Sequence, residues 1–252
     1  MKSRIALAAL AALTLTAASV PSLVVGAPDP LTATLDAPGR PDADKARDAA
    51  RKPVELMAFA GIKPGDKVGD FIIGGGYFTR LFSAAVGADG HVYAFQPKEF
   101  IRFNGDYQKS LDDVAKLSNV TPVAGSLGAV SFPEPLDLVW TSQNYHDLHL
   151  GFMKPEQIAA LDKAIFDSLK PGGVFLVIDH YAPDGTGDTL SKKLHRIDIE
   201  TVKSELKAAG FVLEAQSDLL RNSADPRDVS VFDDSIKGKT DQFVLKFRKP
   251  KA

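Results

Sequence analysis

The chain has 252 residues, 44% hydrophobic and 25% charged, a globular composition that can bury one large core. Its formal net charge of −2 and the even spread of its 30 Lys and Arg argue against an electrostatic nucleic-acid surface. With no cysteine there is no disulfide, no thiolate metal site, no cysteine nucleophile and no lipid-anchored N-terminal cysteine.

Residues 1–26 have the three parts of a secretory signal: Lys2 and Arg4, an apolar run from Ile5 to Ala18, and small residues toward Ser22 to Ala27. A membrane anchor would need about 20 strongly apolar residues, and Thr14, Thr16, Ser19 and Pro21 interrupt this run. The expectation is export, to the periplasm, with cleavage near Ala27 and no membrane attachment afterwards. Residues 27–41 hold four prolines and few large apolar side chains, and read as a flexible leader or an arm draped on the domain. The domain itself is expected over residues 42–252.

From Asp42, the run Ala46, Ala49, Ala50, Val54, Leu56, Met57, Phe59 and Ala60 marks helix on either side of Pro53, which opens the second segment. Val68 to Thr79 then reads as a buried strand ending in Asp70 to Ile73, a turn of three glycines, and a helix start at Thr79. Glycine tolerates positive φ and has no Cβ, so such a turn lets backbone approach a ligand and aims the helix N–H groups at it. A tight strand-to-helix turn also needs glycine for geometry alone, so the triplet by itself leaves both readings open.

Further strands are predicted at His91–Phe95, Val120–Ala124, Leu136–Thr141, Val174–Ile178, Phe211–Glu214 and Gln242–Phe247. Helices are predicted to about Val86, after a loop from Phe100 through Tyr107, Leu111, Val114 and Leu117, over Lys154–Leu169 and over Asp198–Ala209. Asp179–Lys193 is a polar loop, and Asn222–Lys239 is a long polar segment of the kind that closes over a site or is mobile. Strands that alternate with helices and are apolar throughout imply a parallel sheet covered on both faces, with ligands beyond the carboxyl ends of the strands.

From Val54 to Arg248 this order of elements resembles the class I S-adenosylmethionine (SAM) dependent methyltransferase family. Asp70, Gly74 and Gly76 match its acidic strand end and spaced glycines, with Ile72 standing where the first glycine is usual. Lys-Pro-Gly-Gly at 170–173 and Ala-Ala-Gly-Phe at 208–211 are further habits of the family. More narrowly, Gly-Gly-Gly-Tyr-Phe-Thr, Tyr-Ala-Phe-Gln-Pro, Asn-Tyr-His-Asp-Leu-His and Leu-His-Arg-Ile-Asp resemble a group of exported bacterial predicted methyltransferases. The resemblance implies a single α/β domain with a doubly wound, mostly parallel seven-stranded sheet. It implies SAM as cofactor, held by Asp70, Gly74, Gly75, Gly76, Gln96 and Ser126, and methyl transfer to O or N of a small molecule.

Two positions depart from the family pattern. Gln96 stands at the end of the second strand, where a carboxylate accepts from both ribose hydroxyls, and Ser126 stands where a further acidic residue is usual near the adenine. A fold does not fix an activity, so the rival expectation is a repurposed small-molecule binder that keeps the fold without SAM. Export and the missing carboxylate favour the rival.

Four of the five histidines, His146, His149, His180 and His195, fall on the ligand-binding edge of such a sheet, accompanied by Asp147, Asp179, Arg196 and Asp198. Transfer to O or N needs a base, and His titrates near neutral pH. His146, His180 and His195 are therefore the candidate catalytic residues, while each could instead hydrogen-bond a loop in place. His146 and His149 with Asp147 between them, completed by His180, could also bind a metal, but the spacing is unspecific and no metal is assigned. His91, at a strand start, reads as structural, and Trp140 as core.

Overall fold

A computed structural model describes residues 30–251, so the secretory segment expected over residues 1–26 lies outside the described residues. The strands are β1 Lys67–Phe71, β2 His91–Pro97, β3 Val120–Gly125, β4 Leu136–Ser142, β5 Leu169–His180, β6 Val212–Ser217 and β7 Gln242–Arg248. The helices are α1 Pro30–Ala33, α2 Asp42–Lys45, α3 Asp48–Arg51, α4 Pro53–Ala60, α5 Tyr77–Val86, α6 Lys98–Phe103, α7 Asp106–Val114, α8 Pro155–Ser168, α9 Ser191–Leu194 and α10 Ile199–Ala208. They build one sheet in the order β3-β2-β1-β4-β5-β7-β6, parallel except for β7, which runs antiparallel to β5 and β6.

Both faces of the sheet are covered, and the period of two along each strand sorts side chains between two cores. On one face Val68, Trp140, Leu176 and Ile178 pack with Leu56, Met57, Phe78 and Phe82 of α4 and α5. On the other, Phe95, Val139, Phe175 and Phe247 pack with Ile165 and Leu206 of α8 and α10. Trp140 is fully buried, its ring 4.7 Å from Phe78 and 5.0 Å from Phe82. Strand order reverses between β1 and β4, so the crevice beyond their carboxyl ends is where a doubly wound sheet binds its ligand.

Of the two forms expected for the stretch before the domain, residues 30–41 take the draped arm and not the flexible leader: Leu31 and Leu35 pack against the core beside α4 and α5, and the buried Arg40 pairs with Asp48 at 2.6 and 3.0 Å. Two local features differ from the sequence reading. The helix expected through Tyr107, Leu111 and Val114 is α7, but the loop expected before it from Phe100 is largely a further helix, α6, separated from α7 because Asn104 turns to extended backbone and its Oδ1 accepts from the Asp106 N–H. β5 begins at Leu169, the expected last residue of the preceding helix and five positions before the expected strand start at Val174, and pairs with β4 through an irregular register between Leu136 and Leu138.

The long polar segment 222–239 lies over the histidine edge. Arg196 and Asp225 form a fully buried bidentate pair at 2.9 and 3.0 Å, and the Val231 N–H donates to Leu194 O at 3.1 Å.

Candidate functional site

The glycine loop leaves the sheet abruptly because the N–H groups of Ile72 and Ile73 both donate to Phe95 O, at 2.9 and 3.2 Å. Ile72 consequently takes φ 67, a left-handed conformation that a β-branched residue adopts only under strain. It stands where the family pattern has a glycine, so the departure lies in the side chain and not in the backbone path. The three glycines that follow divide their roles. A Cβ on Gly76 would lie 2.6 Å from Val114 Cγ1 and 3.0 Å from Arg80 Nη1, so this residue serves packing and the left-handed cap of α5. A Cβ on Gly74 or Gly75 would meet no atom within 4 Å, so these two face the open cleft.

Asp70 lies beneath the loop, 3% exposed, and accepts from the Thr79 hydroxyl at 2.6 Å. Burial pushes its carboxyl up to about 7 despite that hydrogen bond. Gln96 is fully buried, and its Oε1 accepts from the Gly74 N–H at 3.1 Å. Its Nε2 is left buried with no hydrogen-bond partner among the described residues. One lone pair of its oxygen is thereby used by the loop, and the group left without a partner is a donor.

Ser126 is not brought to the glycine loop. It is exposed, donates to Glu99 Oε1 at 2.7 Å and accepts from the Gly128 N–H, which makes it the cap of a short turn. The carboxylate on this side of the site is Glu99 itself, which sequence reasoning missed by looking for an acid at the strand end. Its position three residues after Gln96, in the first turn of α6, was the available signal.

The cleft over the loop has a volume of about 160 Å³ and is bounded by Gly74, Gly75, Tyr77, Arg47 and Arg51. The Arg51 guanidinium sits 4.6 Å from the Tyr77 ring centroid, 5.4 Å from that of Phe78, and donates to Gln143 Oε1 at 2.9 Å. Burial, with Arg47 nearby, lowers its pKa to about 10, which leaves it charged at neutral pH. Asn144 Nδ2 donates to Ile72 O and Ser142 O, tying the tips of β1 and β4 together. Neither arginine was singled out by the sequence, although both lie in or next to α3, one turn apart.

On the other side of Asn144 lies a cavity of about 860 Å³. Phe100, Phe103, Tyr107, Phe152 and Phe232 supply its apolar walls, and His146, Asp147, His180 and His195 its polar end. Gln143 and Asn144 line both spaces, so cleft and cavity adjoin. All three candidate catalytic histidines are therefore brought onto one cavity.

His146 opens a 3₁₀ turn, His146–His149, directly after β4. Its Nδ1 lies 2.7 Å from Asp179 Oδ1, and its backbone N–H donates to Asp179 Oδ2 at 2.7 Å. Asp179 is wholly buried at the end of β5 and also accepts from the His180 N–H. This arrangement places the Nδ1 proton on the Asp179 side and leaves Nε2 facing His195 Nδ1 at 3.2 Å and Asp147 Oδ1 at 3.1 Å. Burial alone would lower the His146 pKa, but Asp179 and Asp147 overcome it and hold the ring above its ordinary value. His180 stands 2.7 Å from Thr240 Oγ1 through Nδ1, and burial depresses its pKa to about 3, so it is neutral.

The remaining histidines are placed elsewhere. His149 lies 3.3 Å from Asp188 and 3.2 Å from Glu205 and does not line the cavity, so it does not share a metal-binding arrangement with His146 and His180. His91 Nε2 is 2.7 Å from Thr121 Oγ1, at the start of β2. Asp198 caps α10 through the Glu200 N–H, and Arg196 pins the segment 222–239. Ile72, Gln143 and His195 all take positive φ, 67, 64 and 56, and all three border this crevice, the pattern of strain gathered at a functional site.

No protein-family model and no curated protein matches the chain. Solved structures do. A SAM-dependent methyltransferase from Aquifex aeolicus is similar with a TM-score of 0.56 and 19% identity over 88% of this chain and 98% of that one. The 4+2 cyclase SpnF is similar with a TM-score of 0.56 and 18% identity over 81% of this chain and 82% of that one. The N-methyltransferase NodS from Bradyrhizobium japonicum gives 0.55 and 13% identity over 82% and 97%. The chain thus has the Rossmann-like fold of the class I SAM-dependent methyltransferases, with its strained loops and histidines gathered on the edge where that fold binds ligands.

Proposed function

We propose that the protein is a SAM-dependent methyltransferase acting on O or N of a small, largely apolar molecule. The observation that carries this reading is the pair of adjoining spaces on one edge of the sheet, a cleft over the open glycines and a large cavity ending at the histidines, with Gln143 and Asn144 common to both.

The residues present fit SAM. Gly74 and Gly75 leave room for close backbone approach. The unpartnered Nε2 of Gln96, buried beneath the loop, is a donor that a ribose hydroxyl would satisfy if it reached that depth, and Glu99 supplies a carboxylate to the wall of the large cavity. Arg51, with Arg47 beside it, offers a charged planar fork to the carboxylate of the methionine portion. Bound SAM would supply an electrophilic methyl group on its sulfonium. The protein's own part is alignment: a rigid Asn144 hinge between the two spaces, apolar walls that exclude water, and a histidine end where the acceptor atom and its proton are placed.

A second reading is favoured by two observations. The Gln96 oxygen is engaged by Gly74, and the fold is shared by the cyclase SpnF as well as by methyltransferases. In this reading the protein is a repurposed small-molecule binder that holds its ligand without SAM.

Gln96→Glu separates the two. A carboxylate at 96 can keep the Gly74 N–H with one oxygen and turn the other to the ribose, worth about 1 kcal/mol as the gap between neutral and charge-assisted hydrogen bonds. Calorimetric titration with SAM should show several-fold tighter binding than the parent. Unchanged or weaker binding, from a buried charge with nothing to reward it, would favour the binder.

A further inference from the structure

We propose that His146, Asp147 and His195 form a zinc site whose open coordination position faces the large cavity. The three ligand atoms converge. His146 Nε2 and His195 Nδ1 are 3.2 Å apart, His146 Nε2 and Asp147 Oδ1 3.1 Å, and His195 Nδ1 and Asp147 Oδ1 3.5 Å. Zinc bonds of about 2.0–2.1 Å at tetrahedral angles put ligand atoms about 3.3 Å apart, so this triangle is one face of a zinc tetrahedron.

The support around the triangle is what a metal histidine needs. Asp179, fully buried, fixes the His146 tautomer through Nδ1 and accepts the backbone N–H groups of both His146 and His180. His195 is set by a left-handed backbone, φ 56, by its ring contact with Phe232 at 4.8 Å, and by the neighbouring Arg196–Asp225 pair. Two imidazoles and one carboxylate suit zinc and its borderline neighbours, and do not suit Mg²⁺ or Ca²⁺, which take oxygen ligands. Three protein ligands also leave a fourth position, the mark of reactive and not structural zinc.

The sequence offered His146 and His149 with Asp147 between them, completed by His180. In the structure His149 is held by Asp188 and Glu205, and His180 by Thr240. His146 and Asp147 keep their place, and His195, 48 positions beyond Asp147 in the chain, takes the part of the other two histidines, because the loop after β5 folds back toward the tip of β4.

Zinc binding here is independent of SAM. What it would do rests on the methyltransferase reading: the open position takes an oxygen of the acceptor and eases loss of its proton to solvent, as zinc does for bound water. An acceptor matching both ends of the cavity is an apolar molecule carrying one hydroxyl.

The test uses the untagged full chain, stripped with chelator and titrated with Co²⁺ as a spectroscopic substitute and with Zn²⁺ in competition. One ion per chain should bind, with a visible absorption band of four- or five-coordinate Co²⁺. His195→Ala and Asp147→Asn should each weaken binding by more than about 100-fold with an unchanged circular dichroism spectrum, and Asp179→Asn by about 10- to 100-fold. His91→Ala, at the opposite edge of the sheet, should leave stoichiometry and spectrum intact. Gly75→Val should lose SAM and keep zinc, so failure of one reading is visible apart from the other. Absence of a bound ion at micromolar Zn²⁺, or parent-like binding by His195→Ala, would overturn the site.

Discussion

Ile72 is 3% exposed and left-handed, so its side chain stabilises the core while its backbone is strained. Ile73, 7% exposed, carries no such strain. Replacement by glycine removes a buried side chain at either position, and only at 72 does it also relieve about 1–2 kcal/mol of left-handed strain. In urea denaturation, Ile72→Gly should therefore be less destabilising than Ile73→Gly by about 1–2 kcal/mol. Equal losses would show that the loop holds Ile72 without strain. Asp70 makes a pH-dependent prediction. Between the unfolded value near 3.8 and the folded value of about 7, the native state keeps a proton that the unfolded chain has released. Stability from this group falls as pH rises through that window and is level above it. Asp70→Asn lacks the penalty and should match the parent near pH 4 and melt above it at pH 8. A variant that melts below the parent at pH 8 would mean the carboxylate is stabilised as the anion.

The strands were legible because most are apolar throughout, and only a parallel sheet covered on both faces needs that; the glycine turn was legible because few other residues permit it. The choice between a free leader and a draped arm at Pro30 to Arg40 was not, since the arm is held by contacts with α3, α4 and α5 that its own composition does not announce. The same holds for Gln96, whose residue type cannot say which of its two polar groups the loop will take, and for Ser126, whose partner Glu99 lies on another element. The arm's main anchor is the Arg40–Asp48 pair, with Asp48 also accepting from the Tyr77 hydroxyl at 2.7 Å. Arg40→Ala should cost about 2–3 kcal/mol, below the range for a wholly buried pair because Asp48 keeps Tyr77 and some solvent. Limited proteolysis should then cut within residues 30–41. An unchanged cleavage pattern would place the arm's hold in Leu31 and Leu35 instead.

At the scale of the molecule, seven strands in a reversing order bring residues from four separate loops to one edge, and each loop contributes what its neighbours lack. The loop after β1 offers open backbone, the end of β2 a buried donor, the loop after β4 the Asn144 tie and His146, and the loop after β5 His195. The histidines could be assigned to this edge from the sequence, whereas their pairing could not, because it depends on how the loops fold back and not on spacing. Among the described residues no helix is long and apolar enough to cross a membrane. The central claim is that the glycine loop holds SAM, and Gly75 probes it without disturbing the fold. Gly75 is not among the residues at positive φ, and a side chain there projects into open space. Calorimetric titration of the parent and of Gly75→Val with SAM is the decisive measurement. One SAM should bind per parent chain, with at least a tenfold loss in a Gly75→Val variant that melts like the parent. Equal binding by the two, or none by the parent, would contradict SAM binding at the glycine loop.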